Sequence, residues 1–193
     1  MPSALELAQK ICRRFPDLTT PPVEFRGEVT VCVTKAASIA DVMQYAKSEL
    51  GFDMLLDITS VDNMGSDPRF EIVYHLYSFA SPGYLRIKTC IGEEIPELPS
   101  ITNVWKAADW HEREIYDMMG IRFIGHPDLR RILMWDSYPY HPLRKDFPLA
   151  GMSSPDSRAK PAPLAGGPFV TSPGEKTAVE REPRAKGETD SVV

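Results

Sequence analysis

The chain predicts an α+β fold: a two-layer sandwich of a mostly antiparallel sheet with helices on one face, followed by an extended C-terminal tail. Three observations lead there. Three β-rich runs lie between residues 53 and 90 with short turn-forming segments between them, the pattern of an antiparallel meander. In the last run, Leu85, Ile87 and Thr89 share one face while Tyr84, Arg86 and Lys88 share the other. Such a sheet has one dry side and needs helices on that side alone. From residue 151 to 193 the chain holds six prolines and five glycines with few large apolar residues, too little to build a core. The expected division is therefore a 1–150 domain and a 151–193 Pro/Gly-rich tail that orders only on a partner, with Phe169 and Val170 as its anchor.

Each element has a local reason. Leu5, Leu7, Ala8, Ile11 and Cys12 recur at helical spacing over residues 3–14, with Ser3 placed to cap and Glu6 three residues on. Pro16 and the Thr19-Thr20-Pro21-Pro22 run end that helix. Residues 23–25 and 29–33 read as two short strands joined by a tight turn at Gly27. Ser38 opens a second helix with Ile39, Val42, Met43, Ala46 and Leu50 as its apolar stripe and Gly51 as its stop. The meander runs through residues 53–61, 70–78 and 84–90. Residues 93–99 form a Pro- and Glu-rich connector, and Ser100 is placed to cap a short turn reaching Trp105. A third helix is expected from an Asp109 N-cap, with Glu112 completing the capping pair, to Met119, with Gly120 as its left-handed terminus. Trp110, Ile115, Met118 and Met119 would face the core.

Composition narrows the function. With 42% hydrophobic and 25% charged residues the chain fits a soluble globular protein. Its apolar runs fall far short of the roughly 20 residues of a membrane-spanning helix, and the N-terminus lacks the features of a signal peptide. Cys12, Cys32 and Cys90 are scattered and form no CxxC pair, so they suggest neither disulfides nor a zinc or iron–sulfur site. Residues 1–120 carry 11 basic against 18 acidic side chains, whereas residues 121–149 carry 5 against 3. An acidic body with one basic segment disfavours nucleic-acid binding and suits pairing with one anionic partner surface.

The informative stretch runs from Asp109 to Leu149, DWHEREIYDMMGIRFIGHPDLRRILMWDSYPYHPLRKDFPL. It contains no phosphate loop, dinucleotide fingerprint, nucleophile elbow or HExxH pattern. His111 and Glu112 are adjacent on a helix and point about 100° apart, so they cannot share a metal. A site of His126, Asp128 and His141 is the remaining metalloenzyme reading, against the commoner one of hydrogen-bonded structural histidines; His75 reads as structural. Arg113 and Asp117 form an i,i+4 pair, worth about 0.2–0.5 kcal/mol. Glu114 and Asp117 lie close enough to repel unless Arg130, Arg131, Arg144 or Lys145 answers them. Two readings stand: an internal salt-bridge lattice, or arginines that reach across to a neighbouring protein. Trp135, Tyr138 and Tyr140 supply interface-type aromatics beside them.

These residues carry a resemblance. ADWHEREIYDMMGIRFIGHPDLRRILM followed by HPLRKDFPL resembles the signature of the C subunits of bacterial NADH-quinone oxidoreductase (respiratory complex I), the counterparts of the mitochondrial thirty-kilodalton subunit. LLDITSVDN, RFEIVYHLYSF, LRIKT and SITNVWKAADW extend the likeness over roughly residues 30–150. The resemblance implies an α+β component of the peripheral arm, on the cytoplasmic side of the cell membrane, with no cofactor of its own. FMN, iron–sulfur clusters, NADH and quinone would be handled by other subunits. Its neighbours would be chiefly the D subunit, with the B and I subunits nearby. The implied interface comprises Glu112, Arg113, Glu114, Tyr116, Asp117 and Gly120 on the helix, then His126, Pro127, Asp128, Leu129, Arg130 and Arg131 in the loop. It ends with His141, Pro142, Leu143, Arg144, Lys145 and Asp146. Two departures stand out: Met119 replaces the family's usual aromatic, and the 135–140 spacer differs from the usual one. The nearest rival function is the equivalent subunit of a membrane-bound hydrogenase or of a complex fed by ferredoxin or F420H2.

Overall fold

The computed structural model describes residues 2–148. The tail and its Phe169-Val170 anchor lie outside the described residues. The chain divides after Asp146, and the first unit holds every element below. Helix α1 (Ala4–Arg14) starts as its sequence dictates. The Ser3 hydroxyl accepts the Glu6 N–H at 3.2 Å while the Glu6 carboxylate accepts the Ser3 N–H at 3.0 Å, and the helix buries Leu7, Ala8 and Ile11. Strands β1 (Val23–Phe25) and β2 (Glu28–Val33) form a hairpin whose two turn residues, Arg26 and Gly27, have φ of 53° and 80°. Positive φ at both positions matches the twist of the flanking strands. A short 3-10 turn precedes α2 (Ile39–Ser48), which buries Ile39, Val42, Met43 and Ala46; Ser38 stands at its N-cap but makes no side-chain cap bond.

Strands β3 (Met54–Asp62), β4 (Phe70–Ser78) and β5 (Gly83–Ile91) form the expected antiparallel meander. Beyond it, β2 joins β5 in parallel, giving the order β1-β2-β5-β4-β3. The sheet is thus mostly antiparallel, with one parallel pair. One face is apolar: Val29, Val31, Val33, Leu85, Ile87, Ile72, Tyr74, Leu76, Leu55 and Ile58 are buried in the same core as α1, α2 and α3 (Ala108–Met119). Tyr84, Arg86 and Lys88 project from the other, where Lys88 pairs with Glu71 at 2.8 Å and Arg86 with Glu28.

The connector at 93–99 is more structured than its composition suggests. Its end, β6 (Glu97–Pro99), pairs in parallel with β7 (Arg122–Ile124), with Leu98 opposite Phe123 and both buried. The Ser100 N–H extends this ladder to the Ile124 carbonyl at 2.9 Å. This small sheet places the 100–102 turn beside the first turn of α3, which frames the site described next.

Candidate docking site

Much of the described segment after α3 is arranged on that helix. The last carbonyls of an α-helix have no partner within it, and here the following segment supplies one for each. Gly120 N–H donates to the Tyr116 carbonyl (2.9 Å), His141 Nδ1 to that of Asp117 (2.9 Å), Leu143 N–H to that of Met118 (3.1 Å) and Arg144 Nε to that of Met119 (2.6 Å). The His-Pro-Leu-Arg run is therefore a C-terminal cap, with its cation at the negative end of the helix dipole. The Arg144 guanidinium lies 5.3 Å from the Phe70 ring centroid, which ties the cap to β4. Burial, with the guanidiniums of Arg144 and Arg131 nearby, holds the His141 imidazole below its ordinary range, so it serves as a neutral donor. Gly120 is required twice over: its φ is 73°, and a Cβ there would lie 2.6 Å from the His141 ring and 2.7 Å from Arg144.

Asp117 organises the loop between β7 and this cap. Its carboxylate is fully buried, and Oδ2 accepts the successive amides of Ile132, Leu133 and Met134 at 3.0, 2.7 and 2.8 Å. Oδ1 accepts Arg131 Nη1 at 2.5 Å. Burial alone would raise this carboxyl, but the Met134 and Leu133 amides, Arg131 and the Ile132 amide outweigh it and hold it below its ordinary value. The expected Arg113–Asp117 pair does not form. Arg113, also buried, donates to the carbonyls of Arg130 (3.2 Å) and Arg131 (3.3 Å). Asp117 instead finds the more distant Arg131, because the loop delivers a guanidinium and three amides together. Trp110 is likewise not a core residue: it is 61% exposed, with the Arg113 guanidinium 5.2 Å from its ring centroid.

The expected Asp109 cap is also corrected. The helix begins two residues earlier, at Ala108, with Ala107 at the cap position and no side-chain cap bond. Glu112 is drawn away to the 100–102 turn, where it accepts Ser100 Oγ at 2.6 Å and Ile101 N–H at 2.7 Å. Burial pushes its carboxyl up to about 7, opposed by those two bonds and reinforced by the charge of Asp109. The His126 side chain is fully buried beside it. Nδ1 accepts the Asp128 N–H at 3.0 Å, so its ring hydrogen sits on Nε2, which points at Asp109. His126 and His141 thus serve different parts of the helix, and among the described residues no group of three His, Cys, Asp or Glu side chains is placed to hold a metal.

Sequence reasoning missed one contributor. Asp62 and Arg69, at the facing ends of β3 and β4, form a buried bidentate pair, with Nε and Nη2 each 2.8 Å from a carboxylate oxygen. Arg69 also reaches Glu93 (2.5 Å) and Asp146 (3.3 Å), and Asp62 accepts the Lys145 N–H at 2.8 Å. The Arg69 guanidinium, first by its hydrogen bonds, holds the Asp62 carboxyl below its ordinary value. The register pairing Asp62 with Phe70 sets these side chains together, a cause that only the folded sheet reveals.

What this lattice leaves outside is an exposed layer. Glu114, Pro127, Asp128, Arg130, Lys145 and Asp146 face solvent, while Tyr116, Leu129 and Pro142 are half-buried. The pinned backbone from Ile132 to Met134 presents Leu133 (59% exposed), and beyond it stand Trp135 (47%) and Leu143 (56%). Behind Trp135, Tyr138 and Tyr140 pack in turn, the first pair tilted and the second edge-to-face, with centroids 4.6 and 5.6 Å apart. No helix among the described residues is long and apolar enough to cross a membrane.

Comparison with known proteins gives the family. The family model for the respiratory-chain NADH dehydrogenase 30 Kd subunit matches residues 32–153. The C subunit of NADH-quinone oxidoreductase from Geotalea uraniireducens is 46% identical over 142 residues, spanning 74% of this chain and 86% of the relative. A solved trypsin-resistant fragment of Nqo5 superposes with a TM-score of 0.57 at 30% identity, covering 65% of this chain and 99% of that one. A chain of the membrane-bound sulfane sulfur reductase, an archaeal respiratory membrane complex, gives a TM-score of 0.63 at 25% identity over 75% of this chain and 85% of its own. The chain belongs to the 30 kDa subunit family of the respiratory-chain NADH dehydrogenase, and its relatives include C subunits of NADH-quinone oxidoreductase.

Proposed function

We propose that this protein performs no redox step itself and holds the quinone-module subunits in register on the peripheral arm, at the cytoplasmic side of the membrane. Its chief neighbour is the D subunit, with the B and I subunits close by. FMN, the iron–sulfur clusters, NADH and quinone are handled by those other subunits. One observation carries the reading. The polar groups that could have made a catalytic site, Asp117, Arg131, His141 and Arg144, are spent on fixing the segment's own backbone, while Leu133, Trp135, Leu143 and Arg130 are presented outward. Tryptophan and arginine are among the side chains enriched at interface hot spots, and Leu133 and Leu143 add exposed apolar surface beside them. The tail, by its composition, adds a partner-dependent wrap. A second reading, the equivalent subunit of another respiratory membrane complex, is favoured by the likeness to the sulfane sulfur reductase. The greater sequence identity to the NADH-quinone oxidoreductase relative weighs for the first.

The test is co-purification. A tagged full-length chain is expected to bring down the D, B and I subunits. Arg130→Glu is expected to reduce that recovery without lowering the melting temperature of the chain, because Arg130 and its partner Asp128 are both largely exposed and such pairs add little stability. Arg144→Glu is expected to lower the melting temperature, since it removes the Met119 cap and sets a carboxylate against carbonyls. Recovery with Arg130→Glu equal to wild type would count against the arginine's docking role.

A further inference from the structure

The docking reading makes no use of the polar cluster under the first turn of α3. Glu112 is fully buried, and among the described residues the only cationic group within 4.0 Å is His126. The Nδ1 of that imidazole accepts the Asp128 amide. The other groups facing Glu112 add no positive charge. Asp109 on the same helix is acidic, and Tyr74 of β4 presents a fully buried hydroxyl with no hydrogen-bond partner. Arg113 is turned toward the carbonyls of residues 130 and 131. A buried carboxylate in such a setting is costly, and a neutral acid is the ordinary escape.

The hydroxyls beside it make both forms tenable. Ser100 Oγ is 2.6 Å from Glu112 Oε2 and 2.9 Å from Thr102 Oγ1, and it accepts the Thr102 N–H at 3.2 Å. With Glu112 charged, Ser100 donates to Oε2 and accepts from the Thr102 hydroxyl. With Glu112 neutral, its own O–H donates to Ser100, which turns and donates to Thr102. Ser100 makes one donated and two accepted bonds in either state, the full capacity of a hydroxyl. The Ile101 N–H stays on Oε1 throughout. We propose that Glu112, Ser100 and Thr102 form a proton-binding site, in which the carboxyl takes up or releases one proton by reversal of two hydroxyls, its two protonation states sharing one arrangement of the heavy atoms. The proton exchanges with solvent water, and no other bond is made or broken.

The consequence for stability has a definite sign. The folded-state carboxyl holds its proton to about pH 7 while the unfolded one releases it at about 4.3. The stabilisation is therefore fully present below the unfolded value, declines as pH rises between the two, and is lost above the folded value.

The experiment is a carbon-13 NMR titration of the side-chain carboxyls of the full-length chain from pH 4 to 9. One glutamate is expected to titrate with a midpoint of about 7, and Glu112→Gln should remove that transition. If every glutamate titrates near its ordinary value of about 4.3, or the neutral transition survives in Glu112→Gln, the proposal is wrong. Should Glu112→Gln not fold, Ser100→Ala decides instead. Loss of the hydroxyl that supports the charged form should move the midpoint upward by about one unit, and an unmoved midpoint would remove Ser100 from the site.

Discussion

Asp117→Ala is expected to destabilise the chain by about 3–5 kcal/mol, the scale on which removal of one partner leaves buried polar groups unanswered. The substitution strands the amides of Ile132, Leu133 and Met134 and the guanidinium of Arg131, all of which converge on one carboxylate with no exposure of its own. Asp117→Asn keeps an acceptor for some of these donors but loses the charge, so its loss should be smaller. Urea denaturation of the purified chain measures both. Proteolysis separates a local from a global effect: cleavage within 130–140 should accelerate in Asp117→Ala before the sheet opens. The stabilisation from Asp117 should be present above the ordinary carboxylate range and disappear as pH falls through its lowered folded-state value. That window lies below the one assigned to Glu112. An Asp117→Ala loss under 1 kcal/mol would show that the loop does not depend on this carboxylate.

Gly120→Ala is the second large effect, expected to cost about 3–4 kcal/mol. The left-handed backbone accounts for about 1–2 kcal/mol, and displacement of the His141 and Arg144 bonds adds about 1 kcal/mol each. Gly125→Ala is the control. Gly125 has a φ of 84°, yet a Cβ there meets nothing within 4 Å, so only the backbone term should appear. In a chain of this size the two variants should differ by several degrees in melting temperature, at about 2–4 °C per kcal/mol. Equal losses would mean that His141 and Arg144 move aside freely and that the cap is not rigid.

How much of this was legible in the sequence depends on distance along the chain. Ser3 with Glu6, Gly120 and the three meander strands were readable because their causes lie within four residues of their effects. The errors share a different cause. Asp109 and Glu112 have capping spacing, but Ser100 and Ile101, brought in by the β6–β7 pairing, hold Glu112 more strongly than a cap would. Arg113 and Asp117 have ion-pair spacing, but the Arg130–Met134 loop offers each of them better partners. Trp110 fits an apolar stripe and instead lies on the surface over Arg113. Three-residue strands such as β6 and β7 carry too few side chains to show a period. The segment itself was legible as the centre of the molecule. Its division into an inner layer that fixes backbone and an outer layer that faces solvent required the fold.

That division makes possible a surface variant that leaves the bonds of Asp117, His141 and Arg144 in place: Arg130→Glu combined with Leu133→Asp and Trp135→Ala. The decisive measurement compares, in membranes from cells carrying this variant, the amount of assembled NADH-quinone oxidoreductase with the NADH:quinone turnover of each assembled complex. Docking by the exposed layer predicts a large loss of assembled complex with turnover per complex unchanged. Full assembly with slowed turnover would contradict it and would place these residues in the reaction.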